Sequence, residues 1–164
     1  MDRKANVAQR LPDEGRWLPS LDAGEVDYGL LAELTGFPMR VAWIVGRNLL
    51  AREFDESGLT PHRYSLLEVV GRNPGLQQTQ IAAALALTRP ATTLALDFWQ
   101  ERGCVERRST PGDRRSFGVF LTKRGEVELD RLRTKVRQAD TDLTANLEER
   151  EIAELRRLLR KILR

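Results

Sequence analysis

The middle of this 164-residue sequence constrains the fold more than any other part. Thr88 marks a helix start, because a threonine side chain caps free N–H groups and the following Pro90 is tolerated in a first helical turn. Gly103 marks the end of that helix. Two β-prone runs follow, at 105–108 and 116–121, and the turn-rich residues between them predict a hairpin with a longer loop.

Two further helices are predicted before this one. The first starts at Thr60-Pro61 and ends at Asn73-Pro74-Gly75, and a short alanine-rich helix follows over 77–85. Ala86-Leu87 then forms a tight turn before Thr88. A short helix, a turn, a second helix and a hairpin make a winged helix-turn-helix, whose second helix places its N-terminal side chains against base edges in duplex DNA.

Helical apolar periodicity flanks this region on both sides. It runs from 28 to 54, with Pro38 as a start or kink, and again from 123 to about 139 and from 148 to 163. The last stripe needs another helix to cover it, its own or a partner's, and the comparable face near the start favours a partner. The predicted fold is mainly α with a small β-hairpin wing, and the predicted divisions are a loose arm at 1–22, a dimerisation helix at 23–58, the winged helix-turn-helix at 59–122 and C-terminal dimerisation helices at 123–164. The arm is either a tail without function or a segment that drapes over the partner.

Positive charge is concentrated on the hairpin. The chain has 27 basic and 24 acidic residues, a formal excess of +3, whereas residues 101–124 alone contain seven cations and three anions. An arginine at a hairpin tip can enter the minor groove, where the potential is most negative. Asp113 is placed to brace Arg115 as an ion pair, and Arg114 adds to the charge. The alternative is a charged loop that is merely solvated.

Several classes of protein are disfavoured by what the sequence lacks. Cys104 is the only cysteine and His62 the only histidine, so no disulfide and no metal cluster is expected. No nucleophile–base set or phosphate loop is found, which predicts neither an enzyme nor a cofactor. No apolar run approaches the ~20 residues of a membrane span, and no signal peptide is seen, so a soluble cytoplasmic protein without membrane contact is expected.

The sequence resembles the MarR family of bacterial transcriptional regulators from about Leu30 onward. That resemblance implies a homodimer whose first and last helices interlock, with one winged helix for each half of a palindromic operator. It also implies repression that is relieved by a small effector, often an aromatic acid. The resemblance is carried by Leu59-Thr60-Pro61, Leu66-Leu67, Gln80-Ile81-Ala82, Arg89-Pro90, Glu101-Arg102-Gly103, Val105-Glu106-Arg107-Arg108, Asp113-Arg114-Arg115 and Leu121-Thr122.

The predicted DNA contacts fall on three elements. The uncharged donors of Gln78 and Thr79 suit a phosphate. The resemblance implies base or backbone contacts from the recognition helix and a paired Asp113 and Arg115 on the wing, and Arg89 is the candidate for bidentate guanine recognition. The recognition-helix contacts are Thr88, Arg89, Ala91 and Thr93, with Ala95, Leu96 and Trp99 in the core. Leu94 and Phe98 are expected to face outward, where relatives often carry basic or polar residues, although Phe98 is favoured to tuck under the wing.

An effector site and the single thiol complete the sequence-based predictions. The resemblance places the start of the second helix near the effector pocket, and an aromatic acid or an aromatic thioester would suit the arginines and rings available there. The candidates are Arg40, Trp43, Arg47, His62 and Tyr64. Trp43 is alternatively core or dimer filler. Cys104 is expected to be a small buried hydrophobe, the alternative being a redox sensor.

The predicted function is therefore a sequence-specific DNA-binding regulator. Its partners would be double-stranded DNA, a second copy of the chain and a small effector. The alternative is a winged-helix protein-interaction module without specific DNA binding, which the arginine-rich wing disfavours. A non-specific nucleic-acid binder would be expected to spread its positive charge more widely.

Overall fold

The computed structural model describes residues 26–54, 58–110 and 113–163, with backbone alone at 110 and 113–116. The arm predicted at 1–22 lies outside the described residues. The chain divides into a terminal unit, Met1–Leu50 with Arg137–Arg164, and a central unit, Ala51–Val136. The elements are α1 (Leu30–Glu33), α2 (Gly36–Glu53), α3 (Pro61–Arg72), β1 (Leu76–Gln77), α4 (Gln78–Ala84), α5 (Arg89–Glu101), β2 (Val105–Thr110), β3 (Asp113–Leu121), α6 (Lys123–Leu143) and α7 (Glu149–Ile162).

The first helical stretch is broken, which the apolar periodicity did not predict. Leu34 has extended backbone angles, φ −93° and ψ 124°, so it ends α1 after a single turn. The longer helix α2 begins two residues later, and Pro38 lies in its first turn, where its missing N–H costs nothing. The helical spacing of apolar residues continues across Leu34, so the sequence pattern does not reveal the break.

The helix starts of the central unit follow the predicted caps. The Thr60 hydroxyl accepts a hydrogen bond from the Arg63 N–H at 3.3 Å, and the Thr88 hydroxyl accepts one from the Ala91 N–H, also at 3.3 Å. At the start of α4, the Gln77 N–H donates to the Gln80 side chain at 2.9 Å. Each cap satisfies N–H groups that the first turn leaves without a helical partner.

The hairpin is longer and its loop shorter than the sequence suggested. Strands β2 and β3 extend until Thr110 pairs with Asp113, with a register shift between Ser109 and Thr110. β1, which was not predicted, adds a third strand in the order β1-β3-β2. It requires glycine at position 118, because a Cβ there would lie 2.7 Å from the Gly75 carbonyl oxygen. A two-residue strand is too short to show alternation in a sequence.

The central unit has its own hydrophobic core. Ala95, Leu96 and Trp99 are buried on the inner face of α5, as predicted, and the indole N–H of Trp99 donates to the Arg63 carbonyl at 2.8 Å. Cys104 is also buried. That burial agrees with the prediction of a small core hydrophobe. The rest of this core includes Leu66, Leu67, Val70, Ile81, Val105, Val119, Leu129 and Leu132.

The terminal unit buries far less of its apolar surface. Val41 and Ala139 are buried, but α7 contains no buried residue and neither does α1. Arg156 of α7 pairs with Asp140 of α6 at 2.8 Å, and both side chains are more than half exposed. The exposed apolar side chains of this unit are Val26, Leu30, Leu31, Leu34, Met39, Trp43, Leu143, Leu147, Leu155, Leu158, Ile162 and Leu163.

No described helix is by itself long and apolar enough to cross a membrane, and α4 and α5 meet that test of length and composition only as a pair bent by 112°.

Candidate nucleic-acid interface

Helices α4 and α5 are joined by a polar bridge at the point where a helix-turn-helix meets DNA. The Gln78 amide donates to the Thr93 hydroxyl at 2.7 Å, and that hydroxyl donates its own proton to the Arg89 carbonyl at 3.0 Å. Because a hydroxyl has one proton, Thr93 is left able only to accept a further hydrogen bond. This bond uses one of the two N–H groups of the Gln78 amide. The second N–H can donate to another group, and the amide oxygen can accept.

Two polar residues at the start of α5 are exposed. Arg89 is exposed in the first turn, and the exposed Thr88 caps that turn as an acceptor, which leaves its proton available to donate. Ala91 and Thr93 are half-buried, while Thr79, near the start of α4, is exposed. The predicted contact residues of the two helices therefore reach the surface to different degrees.

An ion pair ties α5 to the wing. Asp97 on the outer face of α5 accepts a hydrogen bond from Arg107 of β2 at 2.9 Å. On the same strand, Arg108 pairs with Glu106 at 2.9 Å and lies 4.7 Å from the centre of the Phe120 ring. Arg107 is therefore engaged by a carboxylate that lies outside residues 101–124, which makes the excess charge at the hairpin smaller than the count over that stretch suggested.

The tip of the wing carries the remaining predicted contacts. Asp113, Arg114 and Arg115 are the first three residues of β3, and Asp113 pairs with Thr110 across the hairpin. Their side chains lie outside the described part of the structure. The predicted pairing of Asp113 with Arg115 stays a prediction.

Phe98 is buried rather than facing outward, as the favoured prediction had it, but its described ring contacts are with Trp99, Arg63 and Arg102 and not with the wing. Its ring is 7% exposed and packs edge-on against Trp99, with a centroid distance of 4.9 Å. The guanidinium groups of Arg63 and Arg102 lie 3.9 and 3.6 Å from the ring centre. The ring thus lies beside the start of α3, where a Cβ on Gly58 would be 3.3 Å away, and both burial and cation–π attraction favour this position. Leu94, by contrast, is 65% exposed, as expected.

The predicted effector residues are divided between the two units. In the terminal unit, Trp43 is 60% exposed and the guanidinium of Arg47 lies 5.1 Å from its ring centre, while Arg40 is exposed on the same helix. In the central unit, His62 is exposed and the Tyr64 hydroxyl donates to Glu68 at 3.4 Å.

A charged cluster around Glu68 was not predicted from the sequence. Glu68 of α3 accepts hydrogen bonds from Arg133 of α6 at 2.8 and 3.0 Å and from Arg72 at 3.3 Å. The Arg133 hydrogen bond is the main reason that the pKa of Glu68 lies below its usual value, and Glu68 in turn raises the pKa of Arg133. The two partners are 65 positions apart, so no local sequence signal reveals them.

Known proteins show which family shares this architecture. The model of the MarR family matches residues 57–116. A protein of Thauera aromatica described as a transcriptional regulatory protein for the hcr operon is 31% identical over 144 residues, 87% of each chain. The chain belongs to the MarR family. Among solved MarR-family structures, the repressor CouR bound to a 23-mer DNA duplex superimposes with a TM-score of 0.79 and 31% identity, covering 85% of this chain and 99% of CouR.

Membership of the MarR family confirms the predicted winged helix-turn-helix fold and the predicted class of function. This protein is a DNA-binding transcriptional regulator of that family. CouR bound to p-coumaroyl-CoA gives a TM-score of 0.75 at 28% identity, covering 85% of this chain and 98% of that one.

Proposed function

We propose that two copies of this protein repress transcription by binding a palindromic operator. The terminal units, residues 1–50 and 137–164, hold the copies together, and each central unit occupies one half-site. The observation that carries this proposal is the exposed, polar start of α5 beside the arginine-bearing strand β2, which a 2.9 Å contact between Asp97 and Arg107 places next to each other. The DNA-bound structure of CouR supports the proposal.

Each element of this surface has its own task. Arg89, exposed at the start of α5, donates to a guanine in the major groove, and Thr93 accepts from a base amino group because its proton is already used. Gln78 and Thr79 donate to a phosphate at the start of α4. Thr88 and Ala91 line the base edges, and Asp113, Arg114 and Arg115 form the minor-groove contact of the wing.

DNA binding is tested with duplexes from the region upstream of the gene. Wild-type protein should bind one palindromic site in the presence of excess random-sequence duplex. Arg115→Ala should weaken that binding about 30-fold or more, because each of the two copies loses a specific groove contact of ~1–3 kcal/mol. Arg150→Ala removes the same charge from the exposed start of α7 and should leave the affinity unchanged.

Two results would contradict the proposal. Full affinity in Arg115→Ala would remove the wing from the interface. If excess random-sequence duplex abolishes the binding, the protein is better described as an interaction module or as a non-specific nucleic-acid binder.

We further propose that a small aromatic effector, as the free acid or as its acyl thioester, releases the operator. The candidate residues remain Arg40, Trp43, Arg47, His62 and Tyr64. Trp43 supports this role because an indole exposed by 60% beside a guanidinium offers both a stacking surface and a positive charge. CouR, bound to p-coumaroyl-CoA, and the Mycobacterium tuberculosis MarR family protein Rv2887, bound to salicylic acid, are the supporting relatives.

The form of the effector is tested by titrating p-coumarate and p-coumaroyl-CoA separately into the protein–operator complex. Release by the thioester, weakened at least tenfold in Arg47→Gln and in Trp43→Ala, is the expected outcome. Release by the acid alone would remove the thioester from the proposal. If neither compound shifts operator affinity, the aromatic effector itself is wrong.

A further inference from the structure

Leu94 is an exposed apolar side chain on the DNA-facing helix. It is the sixth residue of α5, and 65% of its surface is accessible. On a helix, residues three and four positions apart are neighbours, so Leu94 lies beside Pro90 and Asp97. Pro90 is exposed, and Asp97 holds the wing through Arg107. Leu94 therefore lies between the start of the recognition helix and the point where the wing is attached.

Leu94 is exposed because the buried residues of α5 lie on another face of the helix. Ala95, Leu96 and Trp99 form the inner face, and Phe98 is covered by Trp99 and two guanidinium groups. Leu94 follows Thr93, which contacts α4, but it is directed away from the buried stripe. A single exposed leucine is ordinary on a protein surface, so the position of Leu94 on the DNA-facing helix is what gives it meaning.

The chemistry of the major groove offers one partner for such a side chain. The C5-methyl group of thymine is the apolar feature that base pairs present there, whereas the other groups are hydrogen-bond donors and acceptors. A leucine placed over a cytosine amino group or a guanine oxygen would remove water without replacing its hydrogen bonds. A leucine placed over thymine removes apolar surface from water on both sides.

We propose that Leu94 contacts the C5-methyl group of one thymine in each half-site and so selects a T·A pair at that position. This inference rests on the proposed placement of α5 in the major groove. It adds an apolar specificity-determining residue to the hydrogen-bonding side chains proposed for the same helix.

The test separates the methyl group from every other property of the base. A duplex is first selected by the wild-type protein from a random library, and its thymines are then replaced one at a time by deoxyuridine. This change keeps the base pair and its hydrogen bonds and removes the methyl group. In each half-site, one of these single replacements should weaken wild-type binding. The expected loss is about fourfold, the effect of one buried methyl group.

Leu94→Ala supplies the second arm of a double-mutant cycle. It should bind the thymine duplex more weakly than wild type and should be indifferent to the same deoxyuridine substitution. Val127→Ala, which shortens a side chain that is 73% exposed on α6, should retain the wild-type sensitivity. The unfolding midpoint of Leu94→Ala should match wild type, since the side chain is exposed.

The possible failures are distinguishable. If the wild-type protein selects no duplex, the proposed operator binding is wrong and this inference falls with it. If a duplex is selected but no thymine responds to loss of its methyl group, or if Leu94→Ala keeps the response, operator binding stands and the role of Leu94 is overturned. Concentration-dependent self-association that Leu94→Ala abolishes, without any change in DNA affinity, would also overturn it.

Discussion

The two units of this protein handle their apolar residues in opposite ways. The central unit buries leucines, valines and Trp99 around α3 and α5, and its described apolar residues with large exposure are Leu94, Phe117 and Val127. The terminal unit exposes apolar residues on α1, α2 and α7, and α7 buries none. A stripe of that length in water is costly. The difference shows that the central unit has its own core, and it supports the proposal that the terminal unit covers its apolar residues with a second copy.

The strongest challenge to this comparison is to charge the stripe of α7. We expect Leu155→Glu with Leu158→Glu to raise the dimer dissociation constant at least about a thousandfold, because four leucines per dimer lose their burial. Sedimentation velocity measures the effect, and operator binding should fall with it. Ala153→Glu, on the opposite face of the helix, is the control. A double variant that remains as dimeric as wild type would show that the stripe is not the interface.

The central unit can be tested with two leucines of one helix. Leu96 is fully buried and Leu94 is 65% exposed. Leu96→Ala should lower the free energy of unfolding by ~3 kcal/mol, because it leaves a cavity in the core, whereas Leu94→Ala should change it by less than ~0.5 kcal/mol. Urea unfolding at a fixed protomer concentration measures both. Equal effects would mean that α5 is not packed as described.

The Glu68 cluster tests whether charged groups also stabilise the central unit. The pKa of the Glu68 carboxyl group is lowered in the folded protein. The contribution of Glu68 to the free energy of unfolding is therefore present above the ordinary glutamate pKa and is lost as the pH falls. Glu68→Gln should therefore cost ~1 kcal/mol near neutral pH, since the pair is partly exposed, and this cost should shrink as the pH falls below the ordinary glutamate pKa. Glu126→Gln, at an exposed pair, is the control. A difference that does not depend on pH would contradict the ionic origin.

The smallest expected effect concerns the link between recognition helix and wing. Asp97→Asn should change stability by less than ~0.5 kcal/mol, because both partners of the ion pair are over a third exposed. With Arg107 released toward phosphate, non-specific DNA affinity should rise and its salt dependence should steepen by about 0.9 per protomer in log–log slope. Asp140→Asn removes the same negative charge from the terminal unit. It is the control, and the salt dependence of its DNA affinity should match that of the wild type. An unchanged slope would mean that Arg107 does not reach DNA.

Local signals predicted much of the fold. Thr60, Thr88 and Pro61 specify helix starts through capping and a fixed φ angle, and these act over three or four residues. The features that were not predicted are a very short helix and a strand that depends on a distant partner. The single-turn helix α1 ends at an extended Leu34, and β1 exists because it can pair with β3, 40 or more residues later. The contact residues predicted on α4 and α5 stay predictions, and the ion pair between Asp97 and Arg107 beside them was not predicted.

By itself, the sequence determined where helices begin, that a basic hairpin follows the recognition helix, and that the last helix has an apolar stripe. Tertiary structure decided which charges are engaged and which rings are covered. Asp97 meets Arg107, Glu68 meets Arg133 and Phe98 lies between two arginines, although Leu94, four residues before it, faces outward. The reason is physical: caps and periodicity act over one or two helical turns, whereas ion pairs and ring contacts depend on packing between separate elements.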